Sequence, residues 1–123
     1  ALQAATRASE QRGVQALAQL DRARLAARQN AVVAWNGLQS AQADAEAFAQ
    51  AVAANEIAYE GMRAQFERLG ELTLLDVLDM QRELFNTQVS LVRAQAQRVI
   101  SHLEVLAAQG ELTARGLGLR PAG

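Results

Sequence analysis

The stretch Leu69-Gly70-Glu71-Leu72-Thr73-Leu74-Leu75-Asp76 decides the fold. Gly70 stands where a helix C-terminus accepts a left-handed residue. Thr73 and Asp76 have the spacing of a capping box: the threonine hydroxyl accepts from the amide three residues on, and the carboxylate returns to the threonine amide in the positive field of the first turn. One helix is therefore predicted to end at Gly70 and another to begin at Thr73. Four residues between two helical patterns make a tight antiparallel connection.

Upstream, from Leu2 to about Leu69, no strong breaker interrupts the sequence, and the apolar residues recur on a repeat of seven. One stripe reads Leu17, Arg24, Ala31, Leu38, Ala45, Val52, Tyr59, Phe66, and a second reads Leu20, Ala27, Ala34, Ala41, Phe48, Asn55, Met62, Leu69. Alternating spacings of three and four are the coiled-coil pattern, and frequent alanine lets two backbones come close. Arg24 and Asn55 are the strongly polar members, of the kind that fixes register. Downstream, Leu75, Arg82, Val89, Ala96, Leu103 and Leu78, Phe85, Val92, Val99, Leu106 form two stripes, with Val77, Leu84, Leu91 as a third that widens the apolar surface. Such a helix is expected to touch more than one neighbour. Gly110 is expected to cap it near Gln109, and the four Gly or Pro residues beyond predict an irregular tail.

The sequence thus predicts an all-α fold: a long antiparallel coiled-coil hairpin of two unequal helices, about 2–68 and 73–109, with an irregular tail over 111–123. At 1.5 Å per residue the helices would run to roughly 100 Å and roughly 55 Å. If residue 70+n faces residue 70−n, the second helix runs out opposite about residue 31. The stripe from Leu2 through Leu25 then needs cover from elsewhere, because an amphipathic helix owes most of its stability to packing.

Composition narrows the function. Of 123 residues 50% are hydrophobic but only 4% aromatic, so the apolar content is mostly Ala, Leu and Val. With 12 Lys+Arg, all of them Arg, against 13 Asp+Glu, there is no basic excess for nucleic acid. The absence of cysteine excludes disulfides, thiolate metal sites and cysteine nucleophiles. His102, the single histidine, is expected on a helix surface or seam rather than as a ligand. No nucleophile stands beside a base and no phosphate loop is present, so no enzyme, cofactor or metal site is expected. No apolar run of about eighteen residues could span a bilayer as a helix. Ala1 is no initiator, and the chain is expected to be a piece of a longer one.

The run from Leu69 to Asp79, then Gln81-Arg82-Glu83-Leu84-Phe85, then Leu106-Ala107-Ala108-Gln109-Gly110-Glu111-Leu112-Thr113, resembles the C-terminal repeat of the TolC-type outer-membrane channel family. That family has a pattern close to G-x-x-T/S-x-x-D-V-L-D, followed by R-x-L-F/Y and a later G-x-L. Ala34-Trp35-Asn36-Gly37-Leu38 and Tyr59-Glu60-Gly61 resemble its preceding long helix. The resemblance covers nearly the whole chain and rests on the order and spacing of these elements rather than on any single motif.

The resemblance implies a homotrimeric export conduit for type I secretion or multidrug efflux, a β-barrel in the outer membrane continued by an α-helical tunnel through the periplasm. Residues 1–110 would be a tunnel hairpin that does not itself span the membrane, and 111–123 the start of an equatorial belt. Implied partners are a periplasmic adaptor (membrane fusion protein) and an inner-membrane pump or ABC transporter. Asp76 and Asp79 would form an acidic ring at the tunnel entrance, cation-selective and open to block by multivalent cations. Leu69, Gly70, Glu71, Leu72 and Thr73 would form the adaptor-docking tip. Leu38, Phe48, Val52, Tyr59, Met62, Phe66, Leu78, Phe85, Val92, Val99 and Leu106 are expected in packing seams, with Trp35 anchoring contacts between coils. Some members latch neighbouring coils with an arginine where this chain has Leu72; here Arg63 or Arg68 would have to replace it. The alternative is a stand-alone coiled-coil interaction module such as the hairpin of an adaptor protein.

Overall fold

The computed structural model describes residues 1–70 and 73–116. It consists of two helices, α1 (Leu2–Leu69) and α2 (Leu74–Gly116). Their residues fall into two compact units, one of Gly37–His102 and one pairing Ala1–Asn36 with Leu103–Gly123.

In the Gly37–His102 unit the two helices form an antiparallel hairpin closed at Gly70, whose φ of 63° is left-handed. The Gly70 amide reaches back to the Gln65 carbonyl at 3.1 Å, a wide final turn that uses an otherwise orphaned acceptor. The capping box forms as the sequence predicts. The Asp76 amide donates to Thr73 Oγ1 at 3.2 Å, while the Thr73 amide and hydroxyl donate to Asp76 Oδ2 at 3.2 and 2.9 Å. Asn55 sets the register in the seam: its Nδ2 donates to Thr87 Oγ1 at 2.7 Å, and that hydroxyl donates onward to the Glu83 carbonyl at 2.8 Å. A polar pair satisfied in this way favours one alignment, because sliding either helix would cost Asn55 its partner across the seam.

The seam of α1 falls on the two stripes predicted for it. Ala27, Leu38, Ala41, Ala45 and Val52 are buried, and Leu20, Ala31, Ala34, Asn55, Tyr59, Met62 and Phe66 are half-buried. Leu17, Phe48 and Leu69, although on the same stripes, are exposed.

Of the three stripes on α2, the third lies toward α1. Val77, Leu84, Leu91 and Val105 alternate with Met80, Thr87, Ala94, Ser101 and Ala108 to cover α1, whereas Leu75, Leu78, Phe85, Val92, Val99, Leu103 and Leu106 are exposed. Within this chain, therefore, the third stripe and a row of small residues beside it make the seam. The physical reason is spacing: opposite Ala41 and Ala45 of α1 the seam takes small residues such as Ala94 and Ser101, while Phe85, Val92 and Val99 are left exposed. Among the described residues, five of the nine buried apolar side chains are alanine.

The second helix also continues past its expected end. Residues 111–116, predicted irregular, extend α2 to Gly116. A glycine inside a helix costs only about 1 kcal/mol relative to alanine. Here that cost is offset by the half-burial of Leu112 and Ala114, by the Thr113 hydroxyl donating to the Gln109 carbonyl at 2.9 Å, and by an Arg115–Glu111 pair at 3.3 Å. The rest of the expected tail, 117–123, lies outside the described residues. In the same unit Ala27 and Ala108 are buried, while every residue before Ala18 is exposed, including Leu2, Val14 and Leu17.

Seam size, rather than total apolar content, should control the stability of the isolated chain. Ala41→Leu is expected to lower stability by about 1–3 kcal/mol through overpacking. Phe85→Ala, on the exposed stripe, should stay within about 0.5 kcal/mol of the parent. Urea denaturation followed by circular dichroism measures both.

Candidate functional site

The tip is the most sharply specified feature of the chain. The end of α1 and the start of α2 bring Leu69, Gly70, Thr73, Leu74 and Leu75 together, all exposed. Glu71 and Leu72, expected in the same docking surface, lie outside the described residues. A Cβ added at Gly70 would meet nothing within 4 Å, so close packing inside the chain does not demand glycine there; the left-handed backbone does. A non-glycine residue in that conformation costs roughly 1–2 kcal/mol.

The two acidic candidates differ in what already holds them. Asp76 is committed to the cap through Thr73. Asp79 lies one turn further along α2, exposed, and its only partner among the described residues is Arg82, with Oδ1 3.8 Å from Nη2. An ion pair between two exposed side chains contributes at most about 1 kcal/mol and is screened by salt. The Asp79 charge is therefore available to act on ions at the end of the hairpin.

The remaining candidates separate by exposure. Leu38 and Val52 are buried and Tyr59, Met62 and Phe66 half-buried against α2. Phe48 is 38% exposed and lines an open groove of about 340 Å³ with Asp44, Ser90, Arg93 and Gln97. Leu78, Phe85, Val92, Val99 and Leu106 are exposed, as is Trp35 on α1. Of the two arginines that could stand in for a latch, Arg63 pairs with Glu67 at 3.5 Å on its own helix. His102 is exposed. The sequence reading missed Ser101, buried in the seam and accepting from Gln97 Nε2 at 3.2 Å; its seven-residue spacing from Thr87 and Ala94 was the signal. Among the described residues no His, Cys, Asp and Glu cluster could hold a metal ion, and no helix is long and apolar enough to cross a membrane.

Among the described residues, exposed apolar side chains thus stand at the tip and along α2. Comparison with known proteins agrees with that character. The family model described as "Outer membrane efflux protein" matches residues 1–111. The outer membrane efflux protein BepC of Brucella suis biovar 1 (strain 1330) is 36% identical over 95 residues, covering 77% of this chain. The match spans 21% of the length of that relative. No solved structure matches the chain. The family is one of transport channels rather than enzymes. With its model matched across all but the last residues, the chain belongs to the outer membrane efflux protein family.

Proposed function

We propose that this chain is a wall segment of a trimeric export conduit, forming part of its periplasmic α-helical tunnel and entrance. The observation that carries the reading is the outward stripe of α2. Phe85 and Val92 are 62% and 64% exposed in the isolated chain, and Leu75, Leu78, Val99, Leu103 and Leu106 continue the stripe along the helix. A surface of this kind on a soluble helix marks an interface. In a tunnel wall the same residues would pack against helices of the same and neighbouring protomers, and the exposed beginning of α1 would be covered by another part of the full protein.

The conduit is passive, and its cargo would be chosen by partners: a periplasmic adaptor meeting Leu69, Gly70, Glu71, Leu72 and Thr73, and an inner-membrane pump or ABC transporter supplying energy, whether for type I secretion or drug efflux. At the entrance, Asp79 from each protomer would focus a negative field in a constriction where little water screens it. Asp76 would add its charge while holding the start of α2.

Two experiments on the full-length channel test this assignment. Asp79→Asn should reduce cation selectivity in planar bilayers while leaving thermal stability unchanged, whereas Asp76→Asn should lower stability as well, by about 1 kcal/mol, through loss of the cap. Selectivity unchanged by Asp79→Asn removes the acidic ring. At the tip, Gly70→Arg should abolish cross-linking to the adaptor with the trimer intact. Gly70→Ala imposes the same backbone strain without the bulk and should retain the cross-link; equal cross-linking by both variants contradicts docking at Gly70.

A further inference from the structure

The exposed stripe of α2 carries charge on one flank only. Over Leu75–Val99, which lies wholly within the Gly37–His102 unit, Leu75, Leu78, Phe85, Val92 and Val99 are between 47% and 64% exposed. At heptad spacing beside that stripe, one flank reads Asp79, Asn86, Arg93 and the other reads Gln81, Gln88, Gln95, all exposed. Asp79 has only its 3.8 Å pair with Arg82. Arg93 lines a groove with Asp44 but makes no ion pair among the described residues.

The order acid, amide, base along one flank is complementary to itself when reversed. When two copies of a helix pair antiparallel, like flank meets like flank and the two sequences run in opposite directions. Asp79 of each copy then stands beside Arg93 of the other, and Asn86 beside the second Asn86, whose amide both donates and accepts. The same alignment sets Leu75 opposite Val99, Leu78 opposite Ala96 and Phe85 opposite Val89. Arg82 falls opposite Val92, where its stem packs and its guanidinium reaches past the edge.

Other alignments lose these pairs. A shift of one heptad either way sets Asp79 beside Asn86 or Ile100. Parallel pairing in register puts Arg82 against Arg82 in the seam and offers Arg93 only Gln88. The large apolar side chains supply the attraction, and the charges select orientation and register.

We propose that the hairpin pairs with a second copy of itself through α2, in a two-fold antiparallel contact over Leu75–Val99 registered by two Asp79–Arg93 ion pairs. The contact occupies the stripe that a tunnel wall would cover, so the two associations exclude each other. It does not rest on the export reading: it is measured on the 123-residue chain, whereas that reading is tested in the full-length channel.

Sedimentation equilibrium measures the association, and disulfide cross-linking reads its direction in a chain that has no cysteine of its own. A reversible monomer–dimer equilibrium at micromolar concentrations is expected. Asp79→Arg or Arg93→Asp alone should weaken the dimer about tenfold or more, through two lost ion pairs and the like charges that replace them. The double variant should return to within about threefold of the parent, a recovery that simple damage to the helix would not give. A mixture of Leu78→Cys and Ala96→Cys chains should form a mixed disulfide in a glutathione buffer. Neither variant alone should cross-link, because each cysteine would stand roughly 27 Å from its own copy. A monomer at every concentration, preferential self-cross-linking by either cysteine variant, or no recovery in the double variant overturns the proposal. The cysteine chains keep both charges, so their cross-links decide the direction even if a charge variant loses helicity.

Discussion

The close approach permitted by alanine governs the arrangement of this chain. Ala27, Ala41 and Ala45 on α1, with Ala94 and Ala108 on α2, bring backbones together and leave small side chains in the seam. Such a seam removes little apolar area from water, and burial stabilises by only about 25 cal/mol per Å². Many of the large apolar side chains that would normally supply this stabilisation, Phe85, Val92 and Val99 among them, are instead exposed along α2. A hairpin built in this way is weakly held by its own contacts and leaves its outer stripe uncovered.

At the closed end, backbone groups matter more than side-chain burial. Helix termini leave unpaired amides and carbonyls, and here Thr73 and Asp76 satisfy one set while Gly70 turns the chain. Because these groups are satisfied locally, the neighbouring Leu69, Leu74 and Leu75 remain exposed without any need to bury the turn. The two aspartates differ for the same reason: one is used by the fold, and the other keeps its charge for its surroundings.

The elements legible in the sequence were those set by local rules. Thr73 with Asp76 fixed the start of α2, Gly70 marked the left-handed turn, and the spacing of three and four located the α1 seam from Leu20 to Phe66. On α2 the repeat marks three apolar stripes, but which of them faces the partner helix depends on the room that partner leaves, a property of two helices together. Ser101 and Ala108 were overlooked on the same ground. Gly110 misled because its modest helix penalty was outweighed by contacts of Leu112 and Arg115. The Nε of Arg24, shielded from solvent with no hydrogen-bond partner among the described residues, had no sequence signature, since shielding of a single atom emerges only from packing.

The claim that the outward stripe of α2 is an interface is tested most directly by cysteine reactivity at Val92. The chain has no cysteine of its own, so Val92→Cys places one reporter on the stripe. Its rate of reaction with a maleimide is compared between the isolated 123-residue chain and the full-length assembled channel. The account predicts rapid labelling in the isolated chain at dilution and strong protection in the assembly. Equal, rapid labelling in both would contradict it.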